Sequence, residues 1–193
     1  MQITPEAPRF QLSHTPEGLQ AVIPARRSVL VQLFLLVWLA GWCFGEIQVV
    51  EQLLQQQLHP DAKTPTAFLA LWLAGWTAGG LGAVGTLVWQ FAGRELLTVN
   101  AMSLVHRVEM LGLGVTRVYA AASIKALRAA PDGGGSLARQ QACMPPFFGP
   151  ARGALAFDYG SRTIRLAVGL DEAEAKALVP PLAALLPAAA RQP

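Results

Sequence analysis

The residues best suited to chemistry are few and scattered. His14, His59 and His106 fall in three separate regions of the chain. Asp158, Asp171, Glu172 and Glu174 gather near a turn and a helix start, where carboxylates serve as caps and complement the helix dipole. His106 stands beside Arg107 and Glu109, a combination that suits the polar face of one strand. His59 lies close to Asp61, but two neighbouring candidates do not define a metal site, and solvent exposure is the simpler reading. Cys43 lies in an apolar segment and Cys143 in a polar linker, so the two cysteines predict no disulfide and show no zinc-ligand spacing. Cys43 reads as a small packing residue and Cys143 as a reduced thiol. The chain contains no G-x-S-x-G, no H-E-x-x-H, no phosphate-binding loop and no dinucleotide fingerprint set between a strand and a helix. No enzyme chemistry, metal or cofactor is expected from these residues.

The elements around them are unlike those of a soluble enzyme. Only 14% of the residues are charged and 53% are hydrophobic, whereas about a quarter are charged in an ordinary soluble domain. Ser28–Gly45 and Thr64–Gly93 carry no charge at all. A helix crosses the hydrocarbon core with about 20 residues. Ser28–Val49 and Ala67–Phe91 meet that length, the first carrying Glu46 into the interface. Membrane strands are about half as long and must close a barrel, so a transmembrane helical hairpin is expected. A cleaved signal peptide explains the first segment less well, because a polar stretch precedes it and a second apolar segment follows.

Charge orients the hairpin. Arg26 and Arg27 precede the first segment and Arg94 follows the second. The connection holds Glu46, Glu51 and Asp61 against Lys63. The positive-inside rule then places both termini in the cytoplasm and residues 46–66 outside, as an external loop with an amphipathic helical extension to about His59. The net charge of +3 is slight and the basic residues are scattered, so no nucleic-acid partner is expected.

Within the hairpin, Val37-Trp38-Leu39-Ala40-Gly41-Trp42 is echoed by Leu71-Trp72-Leu73-Ala74-Gly75-Trp76. Trp38 and Trp42, like Trp72 and Trp76, share one helical face, and the four indoles suit an interfacial cluster in the outer leaflet. Neither segment contains histidine, so no histidine-ligated haem is expected there. Gly41 and Gly45 form one G-x-x-x-G, Gly75 and Gly79 a second, and Gly82 extends the row. Such faces let helices approach closely, within the hairpin or with a membrane-protein partner or second copy.

The flanking sequences read as a soluble domain. Arg9–Ser13 and Leu19–Ile23 alternate around the turn signal Thr15-Pro16-Glu17-Gly18. Glu95–Asn100, Ala101–Gly112 and Gly114–Tyr119 are strand candidates, while Ala120–Ala130 suits helix or strand. Residues 131–153, rich in Gly and Pro, read as a flexible segment. Within it, Phe147, Phe148 and Arg152 are a candidate inner-surface contact for lipid or a partner. Ala154–Tyr159 and Arg162–Val168 return as strands. Asp171 and Glu174 resemble a capping box ahead of a terminal helix that Pro180 and Pro181 can bend.

The terminal pattern, Ala154–Tyr159, Gly160–Val168 and Leu170-Asp171-Glu172-Ala173-Glu174-Ala175 with the following helix, resembles bacterial pleckstrin-homology-like (PH-like) membrane proteins, over Phe10–Leu186 with the hairpin as an insertion. The resemblance implies an α+β membrane protein, with a transmembrane hairpin plus a small antiparallel sheet capped by a C-terminal helix. It implies a place in the bacterial inner membrane. The division expected is 1–27, an N-terminal β-hairpin; 28–93, the transmembrane hairpin; and 94–190, the rest of the PH-like domain. The expected role is a membrane-anchored scaffold, binding or assembly module with lipids and a membrane protein as partners. The alternatives are a membrane-bound enzyme with an unrecognised active site and a transport-associated subunit.

Overall fold

Alternation of apolar and polar residues builds the strands. The structure, a computed structural model, describes residues 8–58, 66–131, 143, 145, 146 and 153–191. β1 (Gln11–Thr15) and β2 (Gly18–Pro24) form the N-terminal hairpin, and Leu19, Ala21 and Ile23 of β2 point into the core. Two long helices follow, α1 (Val29–Leu58) and α2 (Thr66–Ala92). The chain then continues through β3 (Gly93–Val99), β4 (Ser103–Met110) and β5 (Leu113–Ala120). These strands make one antiparallel sheet in the order β1-β2-β3-β4-β5. β2 and β3 are hydrogen-bonded neighbours, from Leu19↔Val99 to Pro24↔Arg94, although both helices lie between them in sequence.

After a 3₁₀ turn at Ala121–Ser123, β6 (Ile124–Ala129), β7 (Leu155–Tyr159) and β8 (Arg162–Leu166) form a second antiparallel sheet. Ala120–Ala130 takes the strand option: Ile124–Ala129 pairs with β7, and Ile124 and Leu127 are buried in the shared core. A bulge between Lys125 and Arg128 breaks the alternation there, with Ala126 at φ +50°. The two sheets share one core. Tyr119 of β5 stands edge-on to Phe157 of β7 at 5.2 Å and to Tyr159 at 5.4 Å.

Helix α3 (Glu172–Ala184) covers this core with Ala175, Leu178 and Leu182. Its start is a capping box: the Asp171 carboxylate accepts from Glu174 N–H at 2.9 Å, and Glu174 accepts from Asp171 N–H at 3.0 Å. Pro180 and Pro181 sit inside the helix without dividing it. A short final helix, α4 (Ala188–Arg191), brings Arg191 back to the carbonyls of Ala183, Ala184 and Leu186. The Ala183 carbonyl also accepts from Leu186 N–H at 3.2 Å, and Arg191 adds side-chain donors to the carbonyls at this helix end.

The chain divides into two compact units, one holding Ser28–Val88 and the other the remainder. α1 and α2 are long and apolar enough to cross a membrane, over Val29–Gln55 and Ala67–Ala92. The helical extension expected after Glu46 is present, with α1 continuing through Leu58. No glycine or proline interrupts Glu46–Leu58, so the backbone bonds continue. Within the sheet unit, the β4–β5 connection is a two-residue turn in which Leu111 (φ +54°) and Gly112 (φ +83°) are both left-handed. That is a type I′ turn, and a leucine held there costs about 1–2 kcal/mol.

Arg9 joins the N-terminus to α3. Its guanidinium donates to both Glu174 oxygens, at 3.0 and 2.7 Å, and its backbone N–H donates at 2.9 Å. Burial pushes the Glu174 carboxyl upward, but these bonds and that from Asp171 outweigh it and hold the group below its ordinary 4.5. Hydrogen bonds from Arg128 and Thr163 likewise lower Asp158 below 3.8. A depressed carboxylate stabilises the fold above its unfolded value, and that contribution disappears as pH falls through the folded value. Unfolding in denaturant should therefore become easier as pH drops below about 4.5. Asp171→Ala should cost about 1 kcal/mol at neutral pH. Glu174→Gln should lower neutral stability and flatten the acid limb, as chemical denaturation across pH would record.

Candidate functional site: the indole clasp and the His106 cleft

Two arrangements stand out, one in each unit. In the helical unit, the second tryptophan of each repeated segment reaches the other helix. Trp42 Nε1–H donates to the Trp76 carbonyl at 2.9 Å, and Trp76 Nε1–H donates to the Trp42 carbonyl at 3.4 Å. A helical carbonyl keeps a second lone pair, so it accepts an indole beside its own i+4 N–H. Trp76 also stacks on Trp72 at 4.8 Å and 17°, and lies 6.1 Å from Trp38. Next along α1, Glu46 Oε1 accepts from Thr77 Oγ1 at 2.5 Å. Each interhelical hydrogen bond in an apolar medium contributes about 0.6–2 kcal/mol.

The glycines divide by what an added side chain would meet. A Cβ added at Gly80 would lie 2.1 Å from the Trp42 ring, and one at Gly45 would lie 3.4 Å from the Trp76 ring. Gly80 thus gives the Trp42 indole its path to the Trp76 carbonyl, one turn earlier in α2. Gly41, Gly75, Gly79 and Gly82 have nothing within 4 Å of an added Cβ among the described residues. The helices therefore meet through indoles rather than through backbone approach at these four glycines. Gly80 was not singled out by the sequence, although its position four residues after Trp76 marks it.

In the sheet unit, the central polar feature is Glu95, 2% exposed and facing the core from β3. Its Oε2 lies 2.9 Å from His106 Nε2 on β4 and accepts from Ala167 N–H at 3.1 Å. Its Oε1 accepts from Val168 N–H at 2.7 Å. Ala167 has φ +64°, which turns these successive N–H groups toward one anion. The contact between His106 Nε2 and Glu95 Oε2 joins the two buried side chains across neighbouring strands. His106 Nδ1 is buried and makes no hydrogen bond among the described residues. His106 therefore points opposite to Arg107 and Glu109 rather than sharing their face, because strand neighbours alternate. Glu109 pairs with both Arg94 and Arg107, and the Arg94 hydrogen bond, joined by Arg107, holds Glu109 below its ordinary value. A charged residue in phase with Leu97 and Val99 was the signal that could have revealed Glu95.

Beside His106 opens a cleft of about 70 Å³, edged by Val115, Arg117, Pro146 and Arg165. Arg165 is already engaged with the Gly153 and Pro131 carbonyls, at 3.0 Å each. The space suits about two waters and falls well short of the roughly 300 Å³ of a small-molecule site. A wider depression of about 410 Å³ lies over the outer sheet face, between Gln20, Thr98, Arg107 and Thr116. The chemistry these groups can do is hydrogen bonding and ion pairing. Among the described residues, no cluster of metal-ligating side chains occurs.

Of the other residues singled out, Cys43 is exposed in α1. Cys143, expected in a polar linker, is buried, and burial pushes its thiol up despite the nearby Arg26. His14 lies in β1. His59, Phe147, Phe148, Arg152 and most of 131–153 lie outside the described residues. Comparisons with protein-family models, curated proteins and solved structures find no match to this chain.

Two variants separate these roles. Glu95→Ala leaves His106 and two buried N–H groups without their partner, and should destabilise the sheet unit by about 3–5 kcal/mol in denaturant unfolding. Gly80→Leu should displace Trp42 and abolish the near-ultraviolet dichroism of the coupled indoles in detergent. Gly79→Leu, which meets open space, should preserve that signal.

Proposed function

We propose that this chain is a membrane-anchored scaffold or assembly module with a PH-like soluble domain. The observation that carries the reading is the insertion of two membrane-length helices between hydrogen-bonded strands, with Pro24 paired to Arg94. An anchor appended at one end can be lost without disturbing a domain. An anchor spliced into the middle of a sheet makes the domain and the membrane segment one inheritance, and keeps the domain at the surface. Two antiparallel sheets with a helix over their shared core support the PH-like reading.

The orientation we infer follows the flanking charges. Arg26, Arg27 and Arg94 keep the sheet unit and both termini on the cytoplasmic side of a bacterial inner membrane. The partner is a second membrane protein or a copy of this chain, seated on the small-residue face of the hairpin. Its support is the division of glycines: Gly45 and Gly80 accommodate indoles, while Gly41, Gly75, Gly79 and Gly82 remain open. Small open faces are what helix partners use in lipid, where packing rather than hydrophobic burial drives association.

Crosslinking and mass spectrometry after mild membrane extraction tests this reading. A reproducible crosslink from α2 to another membrane subunit is expected, and Gly79→Leu should abolish it while insertion is retained. A monomeric mass in the native membrane, with only lipid and intramolecular contacts, would reject the assembly role.

A further inference from the structure

The β4–β5 hairpin carries exposed apolar residues where a soluble surface would not place them. Leu111 is 70% exposed, Leu113 81% and Val115 58%. They are close in sequence, at the tip and along the first residues of β5. Leu111 also occupies the left-handed first position of a type I′ turn, where Asn or Gly is favoured. A leucine that is both strained and turned to solvent contributes nothing to the core. Its presence there points to something outside the core that it touches.

The strand register says what that is. Ala92 ends α2 and Gly93 begins β3 with no residue between them. Gly93 pairs with Met110, immediately before the tip. Trp89, in the last turn of α2, packs with Ala25, Val108 and Met110. Ala25 N–H donates to the Gly93 carbonyl at 3.0 Å, and Arg27 donates to the carbonyls of Gln90 and Phe91. The chain therefore departs toward α1, and returns from α2, at the same end of the sheet as the β4–β5 tip. The tip extends about one residue, roughly 3.4 Å, beyond Met110. The membrane-length segment Ala67–Ala92 ends directly before Gly93, the partner of Met110, so the tip lies at the end of the sheet where the chain leaves that segment. The opposite end of the sheet carries the β3–β4 turn, with Met102 82% exposed.

We propose that Leu111 and Leu113 enter the lipid–water interface, making the β4–β5 hairpin a membrane contact of the sheet unit in its own right. This rests on the membrane-anchored reading above. The occupant is the headgroup–acyl boundary of the bilayer. Arg117, exposed on β5 beyond Val115, supplies a cation for lipid phosphate.

The test uses the full chain with Cys43→Ser and Cys143→Ala, reconstituted in phosphatidylethanolamine–phosphatidylglycerol vesicles. Single cysteines at Leu113, Met102 and Leu81 carry an environment-sensitive fluorophore. Lipids bearing a quencher near the headgroup, or deep in the acyl chain, then report depth. The expected result is a blue-shifted Leu113 probe quenched several-fold more by the shallow quencher than the Met102 probe. The Leu81 probe, exposed on α2, should respond to the deep quencher. Equal, weak quenching at Leu113 and Met102 with strong quenching at Leu81 would overturn the hairpin contact and leave the anchor standing. No quenching at Leu81 would overturn both. Leu111→Asn supplies a readout that does not depend on labelling. It should raise the Tm in detergent by relieving the turn, while reducing shallow quenching at Leu113. A lowered Tm would count against the strain argument.

Discussion

One buried carboxylate ties the sheet unit together. Glu95 belongs to the five-stranded sheet, yet two of its three polar contacts are made with the turn between β8 and α3. The third is His106 on the neighbouring strand. A charge removed from water is tolerated only when donors replace its hydration, and here two backbone N–H groups do so, with the His106 imidazole beside them. The consequence is directional. Apolar contacts among Leu97, Leu166 and Leu170 would be satisfied by many slightly different packings. A carboxylate that needs Ala167 and Val168 N–H together admits far fewer. The left-handed Ala167 is the local cost of that specification.

The second constraint is topological. β2 and β3 pair residue by residue across an insertion that contains both helices. Closing so long a connection carries an entropic penalty that grows only slowly with length, so what matters is how the two ends are held. They are held locally: Ala25 bonds to Gly93, and Arg27 caps the carbonyls at the end of α2. A guanidinium placed there also opposes the negative end of the helix dipole. Arg27 thus holds the end of α2 as well as supplying a flanking charge, the role its position alone suggested.

What was legible in the sequence follows from periodicity. Leu19, Ala21 and Ile23 alternate because one face of β2 is buried, and Asp171 with Glu174 announces α3 by local chemistry. The mixture of helix and antiparallel strand, and the two long apolar helices, were visible for the same reason. Features set by distant partners were not. Ala120–Ala130 has alanine-rich helix propensity, but Ile124 is drawn into the core formed by β7 and α3. Glu95 reads as a surface residue until its donors, more than seventy positions away, are known. Gly80 is one of several glycines in α2, and only the Trp42 ring distinguishes it. Glu46 reads as a carboxylate carried into the interface, and its bond to Thr77 within the hairpin is not visible in the sequence.

The repeated tryptophan segments then acquire a physical role beyond interfacial preference. An indole N–H has no acceptor in hydrocarbon unless the protein provides one. Trp42 and Trp76 solve this for each other, each using a carbonyl on the opposite helix. Reciprocal donation fixes the longitudinal register of the two helices, because sliding by one residue would separate both donors from both acceptors. Large rings between the helices also hold their backbones apart, which is why the neighbouring glycines are not consumed within the pair. A hairpin held together by small residues would have spent its closest-approach surfaces internally. One held by indoles keeps them on its outside, so self-association of the pair and recruitment of a further helix do not compete for the same atoms.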